Sequence, residues 1–581
     1  MRERWILQTK HGDVQGLAKQ LKIPALVTKC MINRDLTNEK DMKKYLYGTL
    51  EDLYDPYLMK DMKEAVEHVL LAKQKGYKVA IASDFDCDGI FSAYILWSGF
   101  QKIGLDSKIF TPDRVMEGYG LNQRIVDEAV SEGRRLLVTC DNGIAAHEEV
   151  CYAREKGMEV LVTDHHEIQE SLPEADEVLD PKRPDETYPF DGLCGAGVAF
   201  KLICALYDRL GIPASACEDL LEYVAIATVA DVMELKDENR ILVKTGLNNL
   251  QNPQNIGIAS LIEVLGLSEK TITAGHIGFM IGPCFNAAGR IATVEDSFSL
   301  LMEENPGEAK EKAEHLKAIN DERKEMTEQG VEKAILQIEK KASIPTVLVL
   351  LLSDVHESLA GIIAGRIRER YYRPTIVFTE PEPGIVKGSG RSIPEYDMFR
   401  ELMKCKPLMM RFGGHKMAAG MTMKKANLDI LGNKLNQNIT LTDDQLRPTV
   451  WIDASMPIGY PTIDMIKSLS MMEPFGVGNP QPIFAEQHFR ILRGRKLGKE
   501  GNVLRLRIAN QRGEQADAVM FFGVEEFESF IYKEWGELNL KKMYQAQSND
   551  IDIAFTYYPM INEYQGMESI QMRINSYCRI Q

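Results

Sequence analysis

The chain has 581 residues and a formal net charge of −16, and 44% of its residues are hydrophobic. This length is too great for a single hydrophobic core, so the sequence predicts several domains of a soluble protein. The acidic balance argues against a protein that coats duplex DNA through a broad basic face. It permits an enzyme that admits nucleic acid through one local positive groove.

The cysteine pattern and the apolar runs predict a cytoplasmic protein without membrane association. Ten cysteines occur without a CxxC pair, which argues against a zinc ribbon or a disulfide framework and favours a reducing compartment. The N-terminal sequence MRERWILQTKHGDVQG lacks the apolar segment of a signal peptide. The richest apolar run, Thr346–Leu352, is far too short to span a bilayer.

Residues 1–60 are predicted to form an N-terminal segment that packs on a catalytic domain of residues 61–304. From Lys78 onwards, a pattern of apolar strand, acidic loop and helix recurs, which predicts an α/β fold with a parallel, doubly wound sheet. Ligands of such sheets bind outside the carboxyl ends of the strands. Three successive strand ends are therefore expected to deliver five side chains to one edge: Asp84, Asp86, Asp141, His165 and His166.

A further acidic residue, Asp231, interrupts the apolar stretch LEYVAIATVADVMEL, which is predicted to be a buried helix or strand. A buried, unpaired carboxylate is costly. Capping of a neighbouring helix is one explanation of Asp231, but a bound metal ion is the better one given the other acidic residues. Asp88, which follows Asp84 and Asp86 at the same spacing, is interpreted as structural.

Two contrasting segments follow the predicted catalytic strands. The sequence GPCFNAAGRI (282–291) is predicted to be a polar loop of small residues that holds Asn286 and Arg290. Residues 305–342 are highly charged and have the period of a helix, which predicts a long, solvated helix that links two domains.

A second α/β domain is predicted over residues 343–440. It contains two glycine-rich stretches, KGSGRSI (387–393) and FGGHKMAAGM (412–421), which are predicted to be loops. Glycine lets backbone N–H groups approach an anion closely, and Arg391 adds a planar guanidinium fork for phosphate. Together with His415, the two loops predict phosphate binding.

Residues 446–581 change to short alternating strands, such as NVLRLRIAN and ADAVMFFG, which predict a small OB-like β-barrel. Basic residues cluster in this region: Arg490, Arg493, Arg495, Lys496, Lys499, Arg505 and Arg507. The cluster is interpreted as a nucleic-acid-binding surface, with an ordinary solvated sheet face as the alternative.

The acidic and imidazole side chains predict a site for two divalent ions, Mn²⁺ or Mg²⁺. Two such ions activate a water and stabilise the leaving oxygen of an in-line displacement at phosphorus. The predicted metal ligands are Asp84, Asp86, Asp141, His165 and Asp231. Asp141 ends the central strand and is best placed to bridge both ions, while His166 is free to face the substrate phosphate. These two are the predicted catalytic residues. No P-loop motif supports the use of ATP.

Several motifs resemble those of a known superfamily. The acidic sequences DFDCDG, TCDNGI, TDHHE and TVADVMEL resemble the successive motifs of the DHH phosphoesterases, and FGGHKMAAG resembles the GGH motif of their associated domain. The order and spacing of these motifs, with GPCFNAAGRI and MEPFGVGNPQPIF, resemble the RecJ family of bacterial single-strand-specific DNA exonucleases.

The resemblance implies an activity and partners. Members of that family degrade single-stranded DNA from the 5′ end to mononucleotides with Mn²⁺ or Mg²⁺, in DNA repair and recombination. A single-strand-binding protein and a helicase are the partners that the family implies.

The resemblance also assigns roles residue by residue. It implies the same five metal ligands as those given above. It also implies that His166 contacts the scissile phosphate and that Asp164 orients the loop that carries His166. The residues implied to recognise the terminal phosphate are Arg290, Ser389, Arg391, Gly414 and His415.

The chain departs from the family pattern at three positions. Cys284 and Phe285 stand where many relatives have Arg and Ile, which is expected to remove a positive charge beside the cleft. Ala82 stands where some relatives have His before the first Asp, which is expected to weaken the hold on the second metal ion.

Two other functions remain as alternatives. One is a DHH phosphodiesterase that acts on very short oligonucleotides or cyclic dinucleotides, but such proteins resemble the first two domains alone. The other is a non-catalytic scaffold, which degenerate acidic motifs would indicate, whereas the motifs here are intact.

Overall fold

The structure is a computed structural model that describes residues 3–114, 117–168, 171–498, 501–564 and 566–580. Contacts within the chain divide it into two compact units. The first unit spans Asp52–Arg447, and the second combines the N-terminal residues up to Glu51 with the residues from Pro448 onwards. None of the described helices is long and apolar enough to cross a membrane.

Strands and helices alternate through the first unit, and strands dominate the C-terminal part of the second. The strands are β1 (Arg4–Leu7), β2 (Lys78–Ser83), β3 (Ser107–Phe110), β4 (Arg134–Cys140), β5 (Glu159–Thr163), β6 (Glu177–Leu179), β7 (Leu348–Leu351), β8 (Thr375–Glu382), β9 (Ile385–Arg391), β10 (Met409–His415), β11 (Ala418–Lys424), β12 (Thr449–Ile452), β13 (Ala454–Ser455), β14 (Phe484–Leu497), β15 (Val503–Ala509), β16 (Gln515–Met520), β17 (Asp552–Tyr564) and β18 (Met567–Arg579). The helices are α1 (Val14–Leu21), α2 (Ala25–Ile32), α3 (Glu39–Tyr47), α4 (Met62–Lys75), α5 (Cys87–Lys102), α6 (Gln123–Ser131), α7 (His147–Glu155), α8 (Gly195–Arg209), α9 (Ser215–Glu218), α10 (Leu221–Ala230), α11 (Asp237–Asn249), α12 (Ile256–Val264), α13 (Ala274–His276), α14 (Gly282–Ile291), α15 (Val294–Leu301), α16 (Pro306–Glu339), α17 (Ala360–Tyr371), α18 (Met398–Met403), α19 (Leu428–Gln437), α20 (Ile463–Ser470) and α21 (Val524–Tyr544).

The first α/β domain is built on a five-stranded parallel sheet in the order β3-β2-β4-β5-β6. Strands β2, β4 and β5 are buried along almost their whole length, as expected where helices cover both faces of a parallel sheet. The chain leaves β2 for β3 on one side and then passes to β4 on the other. The strand order therefore reverses between β2 and β4, and such a switch point is where ligands bind. The predicted parallel α/β sheet is confirmed.

Two helices follow this sheet at positions that matter for the site. The predicted loop at residues 282–291 is wrong, because these residues form α14. Pro283 fits the first turn of a helix, and Ala287 and Ala288 are strong helix formers that are buried. The linking helix α16 begins at Pro306, where the Asn305 side chain accepts a hydrogen bond from the Gly307 N–H, and it continues to Glu339.

The second α/β domain contains a sheet in the order β10-β11-β9-β8-β7, in which β7 and β8 are parallel and the other pairs are antiparallel. Both glycine-rich stretches, predicted as loops, lie mainly in strands. A Cβ on Gly388 would lie 2.4 Å from the Phe378 ring, and one on Gly390 would lie 2.4 Å from the Met398 sulfur. Glycine in β9 therefore serves close packing of the sheet rather than a turn.

The predicted β-barrel is confirmed. Strands β14, β15, β16, β18 and β17 pair in that order, and β17 pairs again with β14, which closes the barrel. Helix α21 lies between β16 and β17 and was not predicted from the alternating pattern. Its buried residues Phe527 and Ile531 belong to the same hydrophobic core as the barrel strands.

The described residues up to Glu51, which are part of the predicted N-terminal segment 1–60, belong to the same unit as the barrel, and residues 52–60 belong to the first unit. Strand β1 pairs in parallel with β12, and α1–α3 contribute to the same hydrophobic cluster as the barrel. The guanidinium of Arg34 donates hydrogen bonds to Asp453 Oδ1, Asn479 Oδ1 and the Pro480 carbonyl. The motif MEPFGVGNPQPIF, which contains the last two residues, therefore anchors the N-terminal segment to the barrel.

We expect Arg34→Ala to lower the free energy of unfolding of the second unit by about 3–5 kcal/mol, because it leaves a buried carboxylate without its partner. The side chains of Arg34 and Asp453 are only 8% and 5% exposed. The control is Lys10→Ala, which breaks the exposed ion pair with Asp35 and should cost less than about 1 kcal/mol. Chemical denaturation of both variants measures the difference; equal losses would contradict the anchoring role.

Candidate active site

The buried strands of the first domain end in acidic or imidazole side chains at the switch point. Asp84 follows β2, Asp141 follows β4, and Asp164 and His165 follow β5. Asp231 comes from a helix rather than a strand, since it directly follows the last residue of α10. The parallel sheet thus brings together residues that are far apart in the sequence.

His165 lies at the centre of this cluster. Its Nε2 atom is 3.0 Å from Asp141 Oδ1, 3.5 Å from Asp88 Oδ2 and 3.9 Å from Asp231 Oδ2. Burial lowers the pKa of this imidazole, which keeps it in the neutral form that binds metals. Its Nδ1 atom is buried without a hydrogen-bond partner among the described residues.

The donor set fits divalent cations. Ligand atoms of Asp141, His165 and His166 lie within 4.8 Å of one another, as do those of Asp88, His165 and Asp231. Burial and the neighbouring carboxylates raise the pKa of Asp231 to about 8 and that of Asp141 well above its ordinary value. A cation between these groups would offset the repulsion that raises their pKa values.

The three acidic residues of DFDCDG have different environments. Burial and the charge of Asp86 raise the pKa of Asp84 to about 7. Asp86 is the N-cap of α5, and its Oδ1 accepts a hydrogen bond of 3.0 Å from the Gly89 N–H. Asp88 accepts hydrogen bonds from the N–H groups at the start of α8, of 2.6 Å from Gly195 and 2.9 Å from Ala196.

Asp88 therefore has a structural contact, as the sequence predicts, but it also lies within reach of His165. Its Oδ2 atom belongs to one of the two groups of ligand atoms described above. The sequence contained a signal for this proximity, because Asp84, Asp86 and Asp88 share one spacing at the end of a buried strand. The spacing alone did not show whether Asp88 binds a cation or caps a helix.

The other conspicuous pair is Asp164 and His166. Asp164 Oδ1 accepts hydrogen bonds of 2.7 Å from the His165 N–H and from His166 Nδ1, while Oδ2 accepts one from the Ile144 N–H. Although burial disfavours its charge, the bond and charge of His166 hold the pKa of Asp164 below its usual value. Burial alone would lower the pKa of His166, but the hydrogen bond to Asp164 outweighs this effect and raises the pKa to about 9.

His166 lines a cleft of about 470 Å³ beside the acidic cluster. Its side chain is 56% exposed, in contrast to the buried His165. Asp84, Asp141 and Asp164 line the same cleft. A protonated imidazole with this exposure, held by a buried carboxylate, is suited to contact an anion in the cleft.

The predicted phosphate-binding residues fall into two groups. Arg290 projects from α14, and its Nη1 donates to the Ser358 carbonyl at 3.1 Å, which joins the two α/β domains. Burial and the charge of Arg114 lower its pKa to about 10. Arg391 Nη1 donates to Ser389 Oγ at 3.1 Å, so these two predicted residues are in contact.

Gly414 and His415 lie at the end of β10. The φ of Gly414 is 145°, and a Cβ there would lie 2.4 Å from the Ala418 carbonyl oxygen, so only glycine fits. His415 and Arg391 are both aligned with Ala418, on opposite sides of β11. Two strand spacings, about 10 Å, therefore separate their backbones.

A cluster of two aromatic rings and one guanidinium next to Asp84 was not predicted. The rings of Phe85 and Tyr119 lie 4.7 Å apart, and the guanidinium of Arg114 lies 4.5 Å from the Phe85 ring centre. Tyr119 is 70% exposed and lines the cleft. The sequence signals were the Phe between two acidic residues and the Arg and Tyr of PDRVMEGYGL, part of which lies outside the described residues.

The structure places all three departures from the family pattern at buried positions. Cys284 is buried and receives a weak hydrogen bond from Asn320 Nδ2 at 3.5 Å, so its side chain faces α16. The Phe285 ring packs edge-on against Phe91 at 4.8 Å. Ala82 is fully buried in β2.

Comparison with known proteins adds the family. Residues 78–228 match the model of the DHH family N-terminal domain, residues 345–441 match the DHHA1 domain, and residues 452–576 match the RecJ OB domain. The chain is 31% identical over 566 residues to the single-stranded-DNA-specific exonuclease RecJ of Haemophilus influenzae, covering 93% of this chain and 94% of that one. The chain belongs to the RecJ family.

Other RecJ proteins agree with this assignment. The Bacillus subtilis single-stranded-DNA-specific exonuclease RecJ is 35% identical over 522 residues, which cover 89% of this chain but only 66% of that protein. The crystal structure of Thermus thermophilus RecJ in complex with Mn²⁺ matches 100% of this chain and 80% of that chain, with a TM-score of 0.82 and 26% identity. The RecJ fold thus extends over both units.

We expect divalent ions to displace protons from this site near neutral pH. Without an ion, Asp84 and Asp231 have pKa values of about 7 and about 8, so both carboxyls are partly protonated at pH 7. The affinity for Mn²⁺ should therefore rise from pH 6 to pH 8.5, with release of roughly 1–2 protons at pH 7.

Calorimetric titration with Mn²⁺ in two buffers of different ionisation enthalpy measures this release. The Asp231→Asn variant should release fewer protons on binding Mn²⁺, because the proton of the Asp231 carboxyl is no longer present. A constant affinity over the pH range, with no proton release, would show that the carboxyls are ionised before the ion binds.

Proposed function

We propose that this protein is a divalent-metal-dependent exonuclease that degrades single-stranded DNA from the 5′ end to mononucleotides, in DNA repair and recombination. The observation that carries the proposal is the buried cluster around His165 at the switch point of a RecJ-family fold. Two of the relatives given above bear the name single-stranded-DNA-specific exonuclease, and a solved relative contains Mn²⁺.

The proposed cofactor is a pair of Mn²⁺ or Mg²⁺ ions. When bound, the ions would activate a water molecule and stabilise charge on the leaving oxygen. The residues assigned to hold them are Asp84, Asp86, Asp141, His165 and Asp231. The chain fixes Asp86 through the Gly89 N–H and holds the neighbouring Asp88 through the Gly195 N–H, and burial keeps His165 neutral.

His166 and the two arginines are assigned to the substrate. Protonated His166, fixed by Asp164, would contact the scissile phosphate from the cleft. Arg290 and Arg391 would bind the terminal 5′-phosphate with Ser389, since among the described residues no carboxylate forms an ion pair with either arginine. Both guanidinium groups are therefore available to form an ion pair with a bound anion such as phosphate.

The second unit supplies a further surface for single-stranded DNA. Arg490, Arg493 and Arg495 lie along β14, and Arg505 and Arg507 lie on the adjacent β15. Asp517 pairs with the two residues of β15, and Glu528 pairs with Lys496. Arg493 and Arg495 line a shallow groove and form no ion pair among the described residues. Lys499, also predicted here, lies outside the described residues.

The RecJ OB domain argues against a phosphodiesterase for very short oligonucleotides or cyclic dinucleotides, because a barrel with a basic groove is of use only for a longer strand. A single-strand-binding protein and a helicase are the proposed partners. The proposed location is the cytoplasm, since all ten cysteines are free thiols.

The first test of this function is Asp141→Asn. Asparagine has the same shape and tolerates the left-handed backbone of this position, where φ is 59°. We expect less than a few per cent of the wild-type rate on 5′-phosphorylated single strands with Mn²⁺, because a group that acts within a catalytic unit accounts for most of the rate. The metal-free variant should be no less stable, since a buried, repelled charge is removed. Asp127→Asn, on the exposed face of α6, is the control.

End-labelled single and double strands, with products resolved by size, measure both rate and polarity. Retention of a substantial rate in Asp141→Asn, or products released from the 3′ end, would contradict the proposal.

The second test is Arg391→Ala, which removes a charge-assisted contact worth roughly 1.5–3 kcal/mol. The loss in kcat/KM should be larger on 5′-phosphorylated strands than on 5′-hydroxyl strands. Arg370→Ala, at the exposed end of α17, provides a control with the same loss of charge. An equal loss on both kinds of strand would show that Arg391 does not recognise the terminus.

A further inference from the structure

Two exposed apolar side chains lie on elements that meet at the end of α10, which the proposed metal ligand Asp231 directly follows. Val232, the next residue, is 64% exposed, and Phe279 is 82% exposed. Phe279 belongs to a π-helical turn, Ile277–Ile281, that precedes α14. Because both side chains are mostly exposed, they bury little apolar surface, and stabilisation of the fold does not explain why they are apolar.

The two side chains come from elements that pack together. A Cβ on Gly278 would lie 3.7 Å from Val229 Cγ1, and one on Gly282 would lie 3.0 Å from the Cβ of Ala230. The turn that carries Phe279 thus packs against the last turn of α10, which Asp231 directly follows. Phe279 and Val232 therefore belong to two packed elements that meet next to Asp231.

The backbone of Val232 has a left-handed conformation that is strained for a β-branched residue. Its φ is 61°, and the Met233 N–H donates to the Thr228 carbonyl at 3.1 Å, which is the C-terminal cap of α10. The left-handed position of such a cap is normally glycine, since a β-branched side chain is disfavoured there. Strained residues and π-helical turns both concentrate at functional sites.

We propose that Phe279 and Val232 form a platform on which a nucleobase next to the scissile phosphate stacks. This inference rests on the proposed function and identifies a base-binding subsite within it. A phosphate held at Asp231 places the attached sugar and base within one nucleotide of this residue, so the platform is continuous with the metal centre.

The chemistry of the platform suits a strand of any sequence. Every base has a flat π-face, and stacking on an aromatic ring requires no particular pattern of hydrogen bonds. Tyr119, which packs against the buried Phe85 ring, offers a second exposed aromatic ring near Asp84. The acidic cluster therefore has an aromatic surface near each of two of its acidic residues, Asp84 and Asp231.

The test couples the side chain to the base that it is proposed to bind. The wild type and Phe279→Ala are compared on a 5′-phosphorylated single strand and on versions with an abasic nucleotide at position 1, position 2 or a distant position. We expect a loss of kcat/KM of about 5- to 150-fold for Phe279→Ala on the intact strand. The wild type should show a similar loss with the abasic nucleotide at position 1 or 2, and the variant should show no further loss there.

Controls separate stacking from folding and from metal binding. Phe279→Trp should keep the activity and the sensitivity to the abasic nucleotide. Leu210→Ala, an exposed apolar residue at the far end of α8, should behave as the wild type. The affinity for Mn²⁺ should be unchanged in Phe279→Ala.

A second variant tests the strain independently. Val232→Gly relieves the left-handed backbone, so it should raise the melting temperature while lowering kcat/KM on the intact strand and not on the abasic one. A merely structural role of Val232 would instead give a lower melting temperature.

The outcomes distinguish the two proposals. If the wild type hydrolyses no single strand with Mn²⁺, the proposed function itself fails. If the wild type is active, two results would overturn only the base-binding platform. One is that Phe279→Ala has the same kcat/KM as the wild type on the intact strand. The other is that the abasic nucleotide lowers the kcat/KM of Phe279→Ala by the same factor as that of the wild type.

Discussion

Repulsion among buried carboxylates is the constraint on which the catalytic domain depends. Three strand ends and one helix end converge at His165, and burial raises the pKa of Asp84, Asp141 and Asp231. Backbone N–H groups hold Asp86 and Asp88 in place, and they come from the first turns of α5 and α8. A Cβ on Gly195 would lie 2.7 Å from the Cβ of Asp141, so the approach of α8 requires glycine there. The contacts that pack α5 and α8 onto the sheet therefore also fix the acidic side chains of the site.

The parallel sheet and its acidic edge were predictable because the evidence for them is local. Apolar runs that end in Asp84 or Asp141 carry both the strand and its ligand in one short sequence, and parallel pairing places the strand ends together. The barrel was predictable for the same reason, since alternation within a strand is a local pattern. Assignment of Arg391 to the terminal phosphate, by contrast, depended on the resemblance to a family.

What was not predictable depends on packing between distant segments. Residues 282–291 look like a loop by composition, but burial of Cys284 and Phe285 against other helices favours α14. Gly388 and Gly390 look like turn residues, whereas their role is to admit Phe378 and Met398. Pairing of β1 with β12 leaves no sign in either segment. In each case tertiary contacts override the local preference.

The pairing of β1 with β12 has a consequence for synthesis of the chain. Arg4 and Thr449, which are aligned in this sheet, are 445 residues apart. At translation rates of about 5–20 residues per second, the partner of β1 emerges from the ribosome roughly 20–90 s later. During that interval the apolar faces of α1–α3 have no barrel to cover them, while the catalytic domain can already fold. The N-terminal segment is thus synthesised well before the strand and the barrel core that cover it in the folded protein.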